Sequence, residues 1–270
     1  MLVTWAGRRG TPLLLDTYSG AAAAYSTRKL RTAYAGSCMR VRRASDNAEQ
    51  DIGFVDGVLD EASLIAFAAG SIGFVVTWYD QSGNARNLTQ STAANQLRII
   101  SAGVVLKANG KAAAYNTGTN RFMDAAGVVL SQPDTIFSVH EENQTGGTNV
   151  FYDGSDSAAR QALYATGGAL ARFSGTVQSS GVAVVANTLR QFSTYFAGAS
   201  SYLRRNGTLL QATSAGTQGL NGFRIGDGAG AGGGNLSMIG YYSEFIIYAS
   251  DQSANRAAIE SNVMTYFGIT

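Results

Sequence analysis

The chain has 270 residues, a formal net charge of +2 and a pI near 8.7, a balance too even and too dispersed for a nucleic-acid surface. A hydrophobic share of 45% excludes a disordered chain, while a charged share of 14% is well below that of an ordinary domain. With 33 Gly and 2 Pro the profile is that of a turn-rich β protein, long for one domain but within the range of an all-β sandwich with a sizeable core.

Residues 1–20 read as an arm. Trp5, Pro12 and the Leu13, Leu14, Leu15 run have no obvious local partner, so the arm is expected to dock on another subunit. The first ten residues place Arg8 and Arg9 after their apolar piece, the reverse of a secretory signal. No apolar run reaches the length of a membrane span, so no membrane insertion is expected. Residues 21–35 are Ala-rich, carry Tyr25, Leu30 and Tyr34, and stop at Gly36, which predicts a short N-terminal helix. The basic run from Arg28 to Arg43 lacks the interleaved aromatics of a single-strand binding surface. Its charges are expected to form a solvated face or to pair with Asp46, Glu49 and Asp51. Alternation over 38–44 predicts a half-exposed strand, and Asp60 is placed to cap a helix over 61–69.

The stretch around which the rest is organised runs from Phe74 to Gln90. Phe74, Val75, Val76, Trp78 and Tyr79 read as a buried strand. Asp80, Gln81, Ser82, Gly83 and Asn84 then form a polar turn. One reading is a hydrogen-bonded turn that fixes register. The other is a sugar-facing rim, with Trp78 or Tyr79 as platform and Asp80 and Asn84 beside it.

Strands are predicted near 97–107, 112–116, 134–141, 148–153, 161–166, 169–174, 182–186, 189–197, 201–205, 208–213, 222–226 and 236–249. Asn206-Gly207 between apolar runs is the strongest hairpin signal. Residues 228–234 read as a Gly-rich loop with none of the residues of a phosphate cradle. A helix over 251–266 closes the chain. Cys38 and His140 each stand alone, so neither a disulfide, a metal site nor a Cys-His nucleophile is expected, and no cofactor.

Residues 25–30, 40–54 and 78–84, the last being Trp78-Tyr-Asp-Gln-Ser-Gly-Asn84, resemble the catalytic domain of α-L-arabinofuranosidase B. The same block resembles domains in tail and head-surface proteins of tailed bacteriophages. Residues 240–248, 255–260 and 266–269 are similar to the closing strand and helix of laminin-G-like, concanavalin A-like domains. These resemblances imply an all-β, concanavalin A-like jelly-roll β-sandwich over 21–270, with a short N-terminal helix and a C-terminal helix. In the arabinofuranosidase pattern Ile225-Gly226-Asp227 falls on the acid/base stretch, which makes Asp227 the counterpart of the acid. The nucleophile position falls on Ala169, with Leu170 and Ala171 following, and the vicinal disulfide falls on Asn149-Val150. Asp153 and Asp156 are the carboxylates from another loop that could take the nucleophile's place.

The expectation placed first is therefore a non-catalytic bacteriophage virion-surface protein of tail, head-fibre or decoration type. It would be located in the virion, homo-oligomeric, joined to other virion proteins through the arm, and able to bind host-surface polysaccharide through Trp78, Tyr79, Asp80, Asn84, Gly226 and Asp227. The alternative is an active glycoside hydrolase of the α-L-arabinofuranosidase type. Turnover of an arabinofuranoside decides between them.

Overall fold

Alanine favours helices, yet Ala21–Ser26 forms a strand, β1, with all six residues buried. Ala22, Ala23 and Tyr25 pack into one core, and Ala21 and Ala24 into a second on the opposite face. Small side chains let the strand lie between two layers, and burial overrides helix propensity. The helix expected over 21–35 is therefore a strand followed by loop. The computed structural model describes residues 12–118, 120–228 and 236–270. Trp5 and nearly all of the Gly-rich 228–234 run lie outside the described residues.

The longer strands that follow are β2 (Met39–Arg43), β3 (Glu49–Ile52), β4 (Gly73–Trp78), β5 (Leu97–Ser101), β6 (Ala114–Asn116) and β7 (Met123–Leu130). Next come β8 (Asp134–Glu142), β9 (Thr148–Asp153), β10 (Ala162–Thr166), β11 (Ala169–Phe173) and β12 (Val177–Ala183). The last are β13 (Arg190–Phe196), β14 (Tyr202–Arg205), β15 (Thr208–Gln211), β16 (Leu220–Ile225) and β17 (Gly240–Tyr248). One layer runs β1-β17-β8-β13-β14-β15, antiparallel throughout. The other runs β3-β2-β4-β5, and through the short pair Leu88–Thr89 continues into β7-β16-β9-β10-β11-β12. Strand β6 joins the layers by pairing with both β17 and β5.

Trp78, Met39, Val75, Tyr152, Phe223, Phe245 and Ile247 fill the space between the layers. The outer face of the first layer is covered by α3 (Arg256–Phe267), whose Ile259, Val263 and Phe267 pack on Phe137, Ile246 and Tyr248. Leu14 and Leu15, in the short helix α1 (Leu14–Thr17), are buried in the same cluster. The leucine run assigned to an outside partner is thus covered by the chain's own fold. Asp60 caps α2 (Glu61–Ala68) by accepting from the Ser63 amide at 3.0 Å, as the sequence predicts. Asn206 and Gly207 have φ of 49° and 75° and join β14 to β15 as expected.

Candidate functional site

The polar turn after β4 is a staple for β1. The Asp80 carboxylate accepts from the amides of Ala24 (2.8 Å), Ser82 (2.8 Å) and Arg86 (3.0 Å), and from the Ser82 hydroxyl (2.8 Å). Gln81 accepts from the Leu30 amide and donates to the Ser26 and Arg28 carbonyls. Asn84 donates to the carbonyls of Ala21 and Ala22. Trp78 is wholly buried in the core and so cannot serve as a sugar platform, a correction to the rim reading. Tyr79 is half-buried and donates its hydroxyl to Asp51 at 2.8 Å. The register-fixing role is the one the hydrogen bonds fill.

Gly226 and Asp227 sit elsewhere, just past β16. Gly226 has φ +99°, and a Cβ there would come within 2.5 Å of the Arg121 carbonyl oxygen, so the turn requires glycine. That turn brings Asp227 and Gly228 alongside Val150 of β9. The Asp227 carboxyl is nearly buried and accepts from the Gly228 amide at 2.9 Å. Burial raises it above the ordinary carboxylate range, against the Gly228 N–H and the Arg224 charge. Asp153, at the end of β9, is fully buried and held by a bidentate pair with Arg160 at 2.8 and 2.7 Å. Gly228 lies between the two carboxyl groups: its amide bonds Asp227, and a Cβ on it would stand 3.5 Å from Asp153 Oδ2.

Beside this pair Ser237 adjoins Asp227 and helps line an open cleft of about 280 Å³ with Gln144, Thr148, Asn149 and Ile239. The volume is at the lower end of small-molecule sites. Asn149, at the position of the family's vicinal disulfide, instead bonds Gln144 and the Gly146 carbonyl. Strand β11 carries no carboxylate: Ala169 pairs with Thr166 and Ala183, and Ala171 packs on Val150, Ala162 and Tyr164. Asp156 accepts from the Ala158 amide of its own loop and from the Asn221 side chain of β16. Glu244 faces α3 and pairs with Arg28 at 2.7 Å.

Glu142 went unnoticed in the sequence, where it sits in an unremarkable Glu-Glu-Asn end of a strand. It is buried, and burial pushes it up to about 7 against the pull of the neighbouring Asn149 side chain. It lines a void of about 20 Å³ with His140, Phe151 and Phe192, room for a water but not for a sugar. His140 is stacked on Phe192 at 4.6 Å and pushed down to about 3 by burial.

The family described as the catalytic domain of α-L-arabinofuranosidase B matches residues 16–125. A probable α-L-arabinofuranosidase B of Aspergillus flavus is 39% identical over 72 residues, 26% of this chain and 14% of that protein. An α-L-arabinofuranosidase of Hypocrea jecorina is 41% identical over 71 residues, 26% of this chain and 14% of that protein. An arabinofuranosidase solved with arabinofuranosyl-α-1,2-xylobiose superposes with a TM-score of 0.72 at 16% identity, over 93% of this chain and 64% of that one. A GH54 α-L-arabinofuranosidase soaked with a cyclic sulfate inhibitor gives 0.73 at the same identity and coverage. The chain thus spans less than two thirds of the length of these relatives. The sandwich architecture agrees with theirs. The resemblance to the arabinofuranosidase B catalytic domain holds over the block that suggested it. These matches overturn the expectation of a non-catalytic, virion-surface protein, since the proteins it resembles are glycosidases.

Proposed function

We propose that the chain is a glycoside hydrolase acting on α-L-arabinofuranosides. The reading is supported by the matched block at 16–125 and, in this chain's own residues, by the placement of Asp227. That carboxyl is raised by burial, adjoins Ser237, which lines the cleft, and has a second carboxylate, Asp153, across Gly228. Glycoside hydrolysis needs one carboxylic acid to protonate the leaving oxygen and one carboxylate to face the oxocarbenium-like charge. Asp227 fits the first role. Burial shifts it toward its protonated form, which can give a proton to the glycosidic oxygen, and the resulting carboxylate can then take a proton from the incoming water. Asp153, fully buried and paired with Arg160, does not touch the sugar and serves the second role only as a fixed charge behind Gly228. Ala169 cannot attack an anomeric carbon.

The test is release of aryl alcohol from an aryl α-L-arabinofuranoside by the purified chain. Asp227→Asn should lower kcat by about 100-fold or more, the usual scale of a lost general acid, and Asp153→Asn should lower it as well. No release by the wild type at high enzyme concentration, or equal release by Asp227→Asn, would sink the proposal.

A further inference from the structure

Strand β4 carries Phe74 on the outer face of the second layer, opposite the face on which Val75 enters the core. Arg42 on β2 is its cross-strand partner on one side, and Arg98 on β5 on the other. Both therefore share the face of Phe74. Arg121, just before β7, reaches the same ring from outside the pair. The three guanidinium carbons stand 4.8, 6.0 and 5.8 Å from the ring centroid.

Among the described residues Arg31, Arg86, Arg172, Arg204 and Arg205 also bond neutral acceptors only. What sets this group apart is the convergence of three guanidinium groups on one ring without a carboxylate partner. Arg28, Arg40, Arg43, Arg160, Arg224 and Arg256 each pair with a carboxylate. Among the described residues Arg42 is bonded only to neutral groups, Gln96, Asn47 and the Ala93 carbonyl. Arg121 makes one bond, to the Gln96 carbonyl at 2.6 Å. Arg98 makes no hydrogen bond among the described residues, and its Nε is buried without a partner. Burial, and then the charge of Arg98, push Arg121 below its ordinary value. Holding like charges together on a partly buried surface is unfavourable unless an anion joins them. Guanidinium groups offer paired N–H donors that match a carboxylate or phosphate in a plane, and the ring between them supplies an apolar floor.

We infer that Arg42, Arg98 and Arg121 around Phe74 form a binding site for an oxyanion, the carboxylate of an acidic saccharide or a phosphate group. The site shares no residue with Asp227 or Asp153, so its fate is independent of the hydrolase proposal.

The experiment titrates the full chain, at low and at high salt, with three probes: trigalacturonate, inorganic phosphate and neutral arabinotriose. Amide chemical shifts of residues flanking Phe74 report occupancy. Saturable binding of trigalacturonate or phosphate, weakened by salt and absent for arabinotriose, is expected. Arg98→Gln and Arg121→Gln should each weaken it at least 10-fold. Arg98 is half-exposed and unbonded, so Arg98→Gln should fold, and relief of repulsion should leave its ligand-free Tm equal to or above that of the wild type. Binding of trigalacturonate alone assigns the carboxylate source, and of phosphate alone the phosphate source. No saturable binding of either anion, or affinity unchanged in the doubly substituted chain, overturns the inference.

Discussion

Asp80 shows how one acid can hold two distant pieces of chain together. Its four hydrogen bonds reach Ala24, 56 residues away, as well as Ser82 and Arg86 in its own turn. Asp80→Ala leaves these donors unpaired in a buried place and is expected to cost about 1–3 kcal/mol, read as a lower denaturant midpoint at unchanged slope. A midpoint equal to that of the wild type would contradict the stapling role. Asp134 is a different case. Its carboxyl lies in the interior with Oδ2 bonded by Gln161 at 2.8 Å and Oδ1 without a partner. Burial pushes it up to about 7, with the Gln161 bond pulling the other way. The folded pKa lies above the unfolded value of 3.8, so the folded state binds the proton more tightly. The stability this residue contributes is full below the unfolded pKa and is lost as pH rises toward 7. Asp134→Asn does not titrate. The Tm of the wild type minus that of the variant should therefore fall between pH 4 and 7 and stay level above it. A difference that is constant over this range would refute the argument.

At the scale of elements, the buried pair of Arg28 and Glu244 joins the loop after β1 to β17, and Arg28 also donates to Asn262 of α3. Glu244→Gln leaves Arg28 buried opposite a neutral amide and is expected to cost about 3–5 kcal/mol, loosening α3 from the sheet. Hydrogen exchange in 256–267 measures it, and protection equal to the wild type would count against the pair as the anchor of the helix. Most elements could be read in advance because their signals were local: Asp60 with Ser63, Asn206-Gly207, and the alternation in Met39–Arg43. The exceptions had non-local causes. Strand β1 exists because β17 and two cores meet it, and nothing in an alanine run announces a partner more than 200 residues downstream. Strand β7 went unread because Asp124 and Gly127 break its apolar pattern, while its pairing with β16 supplies the order. The site was half legible. Asp227 came from resemblance, and its proximity to Asp153 arises only when β16 and β9 pair, Tyr152 opposite Ile225. Trp78 was misassigned because a strand-end tryptophan has the same sequence context whether it faces solvent or core.

Taken as a whole molecule, the chain divides unevenly between what it shares with known proteins and what folds. The matched block, 16–125, begins within α1 and ends inside β7. Its strands have their partners outside it: β1 pairs with β17, β6 pairs with β17 as well as β5, and β7 pairs with β16. Phe223, Phe245 and Ile247, which fill the core against Tyr25 and Trp78, also lie beyond it. Asp153 and Asp227 are beyond it too, so the block holds the staple of the fold and none of the proposed chemistry. A fragment of 16–125 would expose the inner faces of β1 and β4 and leave open strand edges, an arrangement prone to association. It is expected to be unfolded or aggregated when produced alone, with amide proton shifts collapsed into the random-coil range, whereas residues 12–270 should give a dispersed spectrum and a cooperative melt. Adding 126–270 as a separate chain should restore some dispersion if the β1–β17 and β7–β16 pairings drive the assembly. A well-dispersed spectrum from 16–125 by itself would show that the matched block is an independent folding unit and that the sandwich is built in two steps.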